Sequence, residues 1–270
     1  MRVLSIDFDY FQKVTKEQLA FYPDGIDHDT ELSEIIWGAR YATNGENIRK
    51  VGIMEDELDK LESLLLETNK DSPVMVANSH IHIYDFIHDH QRDGEQIKLI
   101  NIDMHHDFIN DNPELDCGNW VSHLAKEQMD AGNKIAFNWI ANPISLDVYG
   151  FETDNILGQL VLPSLDSIKG KKFDAVFLCR SDTWTPPHLD KYFAEVCGII
   201  KDHFDDISME QGIDKPRTQY LEIEKRCANL AVGKTELAAA AAEARTRMFA
   251  PRAAGGKGKK THKAEQYEYG

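Results

Sequence analysis

Short apolar runs rich in β-branched residues recur at Val3–Ile6, Val74–Ala77, Leu99–Ile102, Ile135–Trp139 and Ala175–Cys179. They are continuous rather than alternating, which is the pattern of strands covered on both faces. Between them lie stretches of helical period. The clearest is Met54–Glu67, where Leu58, Leu61, Leu64 and Leu65 fall on one face and acids fill the other. Val121–Ala131 reads the same way, as does Leu189–His203 after Pro186-Pro187. Strands alternating with helices predict an α/β fold of three layers, α-β-α, around a mainly parallel sheet. No internal repeat is visible.

The pattern changes near residue 231. Leu237–Arg247, with the run Ala238–Ala242, is a strong helix former, and Pro251–Lys263 is basic, Gly/Lys-rich and without apolar period. Two parts are therefore expected: a catalytic-sized body over 1–230, then a helical segment and flexible basic tail over 231–270. Charge divides the same way. The chain carries 30 Lys+Arg and 46 Asp+Glu, a net −16. Residues 231–270 hold 8 and 4 of these, leaving 22 against 42 for residues 1–230. An acidic body repels a phosphate backbone, so nucleic acid is not an expected partner. It suits divalent metals and cationic ligands. The four cysteines form no CxxC pair, and no run approaches the roughly 18 apolar residues of a membrane span. A cytoplasmic protein with reduced thiols and no membrane partner is expected.

Three segments carry chemistry. Asp103-Met104-His105-His106-Asp107 follows the apolar run Leu99–Ile102 directly. Residues two apart on a strand face the same way, so Asp103, His105 and Asp107 are expected to converge if the chain stays extended. Ligands in open α/β sheets sit at the carboxyl ends of strands. Acids and imidazoles this dense beside an apolar strand call for a cation. Ser5-Ile6-Asp7-Phe8-Asp9 repeats the design, with Asp7 and Asp9 two apart. Two acid pairs at two strand ends are what a two-metal site needs. His80 lies just past the run Val74–Ala77, with His82 and His88 as nearby alternatives.

Together these segments resemble the ureohydrolases of the arginase superfamily, which hold two manganese ions with a DxHxD segment, an SxDxD segment and a further His. Asp103-x-His105-x-Asp107 matches the first and Ser5-x-Asp7-x-Asp9 the second; Ser79-His80 matches the His segment without its glycines. The order is rearranged, with SxDxD first, and this looks like the branch that includes peptide arginases of ribosomal-peptide biosynthesis. The resemblance spans roughly residues 1–190.

It implies an arginase-like fold and two Mn2+ ions. Asp103 and Asp7 would bridge them; His80 and Asp107 would complete one ion, His105 and Asp9 the other. It implies hydrolysis of an arginine side chain in a precursor peptide to ornithine and urea. Asn119, in Cys117-Gly118-Asn119-Trp120, is the expected substrate contact and also suits the cap of the following helix. Trp120 and Trp184 suit the substrate's stem or its cation, or the core. Asp182, just past Ala175–Cys179, is the expected partner of the guanidinium. His106 and His123 are the candidate proton shuttles. Competing readings are hydrolysis of free arginine or another small guanidine, a one-metal amidohydrolase, and a non-catalytic protein that binds metal or peptide.

Overall fold

The computed structural model describes residues 1–23, 25, 27–108, 113–149 and 160–229. Met1–Asn229 make one compact unit. The helix expected over Leu237–Arg247 and the basic tail lie outside the described residues.

The first half runs β1 (Arg2–Asp7), β2 (Gln12–Lys13), α1 (Lys16–Leu19), α2 (Thr30–Ile48), β3 (Gly52–Ile53), α3 (Glu55–Glu67), β4 (Val74–Ala77), α4 (Ile83–His90) and β5 (Ile97–Asp103). The second runs α5 (Trp120–Asp130), β6 (Ile135–Ala141), α6 (Ser145–Tyr149), β7 (Leu160–Leu162), β8 (Ala175–Cys179), α7 (Asp190–His203), β9 (Ile207–Met209) and α8 (Gln219–Asn229). Seven strands form one parallel sheet in the order β7-β6-β5-β1-β8-β4-β9. The three-layer α-β-α architecture expected from the sequence is the one formed.

The first strand in sequence is thus the middle strand of the sheet. Its residues alternate between two cores. Leu4 and Ile6 face one that includes Trp37 of α2, Leu61 and Leu65 of α3, and Phe193 and Ile200 of α7. Val3 faces the other, with Phe86 and Ile87 of α4 and Trp120 and Leu124 of α5. By strand alternation Ser5 and Asp7 lie on that second side, so the two polar positions toward the carboxyl end of β1 point one way.

The long helix α2 was not legible as an amphipathic pattern. Its buried face is built from Ser33, Glu34, Trp37, Gly38, Tyr41, Gly45 and Ile48, only partly apolar. It packs closely against α8. A Cβ on Gly38 would meet Ile223 Cβ at 2.6 Å and the Tyr220 carbonyl at 2.9 Å, so the small residue permits the approach. Among the described residues no helix is long and apolar enough to cross a membrane.

Candidate metal centre

Four neighbouring strands, β5, β1, β8 and β4, end together beneath the cluster. Register sets the level of each end. Ile6 pairs with Ile102 and Asp7 with Cys179, which pairs in turn with Ala77. Continuing that register places Asp7 beside Asp103. Two carboxylates side by side at 3% and 0% exposure demand a counter-charge.

Neither motif stays extended, as the sequence reading supposed. β1 stops at Asp7 and β5 at Asp103, and each carboxylate turns the chain that follows it. Asp7 Oδ1 accepts the Asp9 N–H at 3.0 Å, and Asp103 Oδ1 accepts the His105 N–H at 2.7 Å. These are Asx-turns, in which a short side chain caps the backbone two residues on. Asp9 falls in a single 3-10 turn, Phe8–Phe11, and Asp107 has a left-handed φ of +53°. Asp9 Oδ1 accepts the Met104 N–H at 3.0 Å, which stitches the two turns together. The acids converge because the turns fold toward each other, and the spacing of two is the spacing of the turn.

His80 enters from β4. Its Nδ1 lies 2.9 Å from Asp107 Oδ2, 3.2 Å from Asp103 Oδ2 and 3.3 Å from Asp7 Oδ2. On the other wall, His105 Nδ1 lies 2.9 Å from Asp9 Oδ2 and 3.7 Å from Asp103 Oδ1. Two groups of ligand atoms result, each within 4.8 Å: Asp7, His80 and Asp103, and then Asp9, Asp103 and His105. Asp103 belongs to both. The alternatives to His80 face elsewhere: His82 lies 3.4 Å from Glu210 and His88 3.0 Å from Glu127.

The donor chemistry fits a divalent metal. His80 Nδ1 and Asp9 Oδ2 are buried and make no hydrogen bond, although oxygen and nitrogen atoms crowd them. Buried polar atoms are rarely left in that state. Ligand atoms gathered within 4.8 Å of one another could hold a metal ion. Carboxylates with imidazoles, and no thiolate, suit a hard or borderline ion. The thiols of Cys117 and Cys179 are pushed up by burial and by the acids around them, and so stay protonated.

The supporting shell is equally built. Ser5 Oγ meets His80 Nε2 at 2.6 Å, and Phe177 stacks on the imidazole at 5.6 Å. This fixes the ring and leaves Nδ1 toward the acids. Asn101 Nδ2 donates to Asp103 Oδ2 at 3.1 Å, and Trp120 Nε1 to Asp107 Oδ2 at 2.6 Å. Removing such a partner typically weakens metal affinity by about 10–100-fold. Ser5→Ala is therefore expected to raise the Kd for Mn2+ by that factor with an intact fold; titration by calorimetry measures it, and an unchanged Kd removes Ser5 from the shell.

Several expected site residues lie elsewhere. Asp182 is wholly buried and already paired: Arg180 Nε donates to its Oδ1 at 2.5 Å and an Arg180 NH2 group to its Oδ2 at 2.9 Å, with Thr30 Oγ1 at 2.6 Å. The guanidinium it binds is the chain's own. Asn119 is buried and its amide holds its own loop, accepting from Asp116 N at 2.8 Å and donating to the Glu114 carbonyl at 2.7 Å. It occupies the cap position of α5 without a side-chain capping bond. Trp120 is wholly buried and serves Asp107 rather than a substrate. Trp184 is half-buried with its ring 4.8 Å from that of His105, at the rim of the cluster.

His106 is half-buried beside the cluster. Its Nδ1 accepts the Phe108 N–H at 2.9 Å, and burial lowers its pKa, so its neutral form is favoured. His123 is half-buried in the first turn of α5 and belongs to neither ligand group. Ser5, Asn101 and Asp27 were not assigned roles from sequence. Ser5 was visible inside its motif; nothing local marked Asp27, which reaches this end of the sheet from the segment before α2.

The electrostatics reflect the crowding of buried acids. Burial, then Asp9 and Asp103, push Asp7 up to about 8, and burial with Asp103 raises Asp9. Burial opposes charging His80, but Asp107, Asp103 and Asp7 outweigh it and hold the imidazole well above its usual range. A group with a raised folded pKa binds more protons folded than unfolded, so stability falls with rising pH. For Asp7 the window runs from its ordinary 3.8 to about 8, and His80 acts in the same direction. In chelator the melting temperature is expected to fall from about pH 5 to about pH 8, while the gain on adding Mn2+ grows and protons are released. A metal-free melting temperature that climbs over that interval contradicts this charge state.

No family model, no curated protein and no solved structure matches the chain.

Proposed function

We propose that the chain is a manganese-dependent hydrolase with a two-ion centre that converts arginine side chains of a peptide to ornithine, releasing urea. The observation that carries this reading is Asp103, a buried carboxylate shared by two Asp/His ligand groups. Asp7, His80 and Asp107 would hold one ion with it, and Asp9 and His105 the other. Two ions there would supply a nucleophile from water at neutral pH and charge to stabilise the tetrahedral carbon's oxygen.

The chain's own residues do the rest. A C–O bond forms at the guanidinium carbon, the C–N bond to the side chain breaks, and the departing amine takes a proton. The proton of the attacking water would pass to the amine; His106, whose Nδ1 is taken by the Phe108 N–H, would in its neutral form carry its hydrogen on Nε2 and donate it as a hydrogen bond beside the cluster. Trp184 offers the half-buried wall at the rim beside His105. The buried arginines at this end of the sheet favour a peptide over the free amino acid. Arg180 is committed to Asp182 and Arg217 to Asp190, so neither is available to an α-carboxylate.

The test is metal analysis of the purified chain, then mass spectrometry of arginine-containing peptides after incubation with Mn2+. Each converted arginine loses the mass of urea less one water. Turnover of free arginine with none of any peptide refutes the peptide reading, and urea release unchanged by chelation refutes the metal mechanism.

A further inference from the structure

With Asp182 committed, Asp27 is a carboxylate at this end of the sheet without an assigned task. Asp27 is half-buried, and its Oδ2 accepts a short hydrogen bond from Ser79 Oγ, next to His80. The same segment is pinned to the other side of the rim. A Cβ on Gly25 would meet the Trp184 indole at 3.3 Å, and the His28 N–H donates to Thr183 Oγ1 at 3.1 Å. Trp184 in turn lies against His105. The segment before α2 therefore spans from the His80 wall to the His105 wall, carrying one carboxylate.

Exposure separates this acid from the others. Asp7, Asp9, Asp103 and Asp107 are at most 4% exposed, while Asp27 and Trp184 keep accessible surface. The charged groups that act on Asp27 are the acids Asp7 and Asp182, and among the described residues no lysine or arginine pairs with it. A carboxylate offers about four acceptor positions, and the Ser79 hydroxyl occupies one. An unpaired carboxylate beside a cluster with two buried, unbonded ligand atoms is the arrangement that receives a cation.

We infer that Asp27 is the substrate-binding carboxylate of this site: it receives a guanidinium at the rim, opposite the Trp184 indole, with the guanidinium carbon toward the Asp103 cluster. The inference rests on the guanidine-hydrolase reading above and names the residue that gives it charge selectivity. Paired N–H···O bonds from a guanidinium to a carboxylate are strong and demand both charge and shape. A citrulline side chain has the same outline without the charge, so it is the matched neutral probe.

The experiment uses the full chain loaded with Mn2+ and two capped tripeptides, Gly-Arg-Gly and Gly-citrulline-Gly, titrated by calorimetry. Wild type is expected to prefer arginine by about thirtyfold, a typical yield of a charge-assisted bidentate pair. Asp27→Asn is expected to erase that preference while manganese content and melting temperature hold, and Asp27→Glu to restore part of it. A preference intact in Asp27→Asn, with metal content unchanged, overturns the role of Asp27 and leaves the hydrolase reading in place. A wild type that binds manganese but does not distinguish the two peptides overturns both. A chain that binds no manganese refutes the metal reading alone, and the same titrations without metal still decide Asp27.

Discussion

Asp103→Asn is expected to lower metal-dependent urea release by at least about a thousandfold, because both ions lose a ligand at once. Asp103 is the one carboxylate common to the two ligand groups, so no neighbour can replace it. The amide keeps the outline of the side chain, and its oxygen can still accept the His105 N–H that turns the chain. The fold should therefore survive. The metal-free variant should melt no lower than metal-free wild type, since one of several crowded carboxylates is gone. What it should lose is the rise in melting temperature on adding Mn2+. Paired melting curves with and without the ion, alongside metal analysis, check this. Retention of both ions and of turnover by a folded Asp103→Asn protein would falsify the shared-carboxylate arrangement.

Asp182→Ala is expected to fail differently. Here the loss is of stability, about 3–5 kcal/mol, because Arg180 is left as a buried, uncompensated cation. Burial alone would raise Asp182, but Arg217 and then Arg180 reverse that and keep it below the usual carboxylate range. The network continues outward: Arg217 donates to both Asp190 oxygens, at 2.7 and 2.8 Å, and to the Asp182 carbonyl at 2.6 Å. It ties the end of β8 to α7 and to the start of α8. Chemical denaturation should show the lower midpoint, whereas manganese affinity at a temperature where the variant is folded should stay within a few-fold. A variant as stable as wild type that has lost substrate binding would return Asp182 to the active site.

The contrast between the two aspartates shows what a sequence can and cannot reveal here. Both follow an apolar strand, and both look exposed to a ligand at a strand end. Asp103 sits two residues before a histidine that its own turn positions, a local relation written in the spacing. Asp182 is paired by Arg180, also two residues away, yet the match was invisible because a Cys-Arg-Ser-Asp stretch does not say which way each side chain points. Asp27 is the reverse case. It is 52 residues from Ser79 and only the tertiary path of the segment before α2 brings them together.

The sequence by itself determined the alternation of strands and helices, hence the parallel sheet, and it marked the acids and histidines spaced by two at strand ends, which gather through turns rather than through the extended chain expected. It also located His80 once the two acid pairs required a third wall. The tertiary structure decided which strands are neighbours, and so that Asp7 and Asp103 stand at one level as a shared charge problem. It decided that Trp120 and Ser5 bond to Asp107 and His80, and that Asp182 belongs to the frame. The reason is physical: turns and periodicities are short-range and leave a mark in the spacing, whereas burial, register and charge pairing between distant segments exist only after the chain has folded.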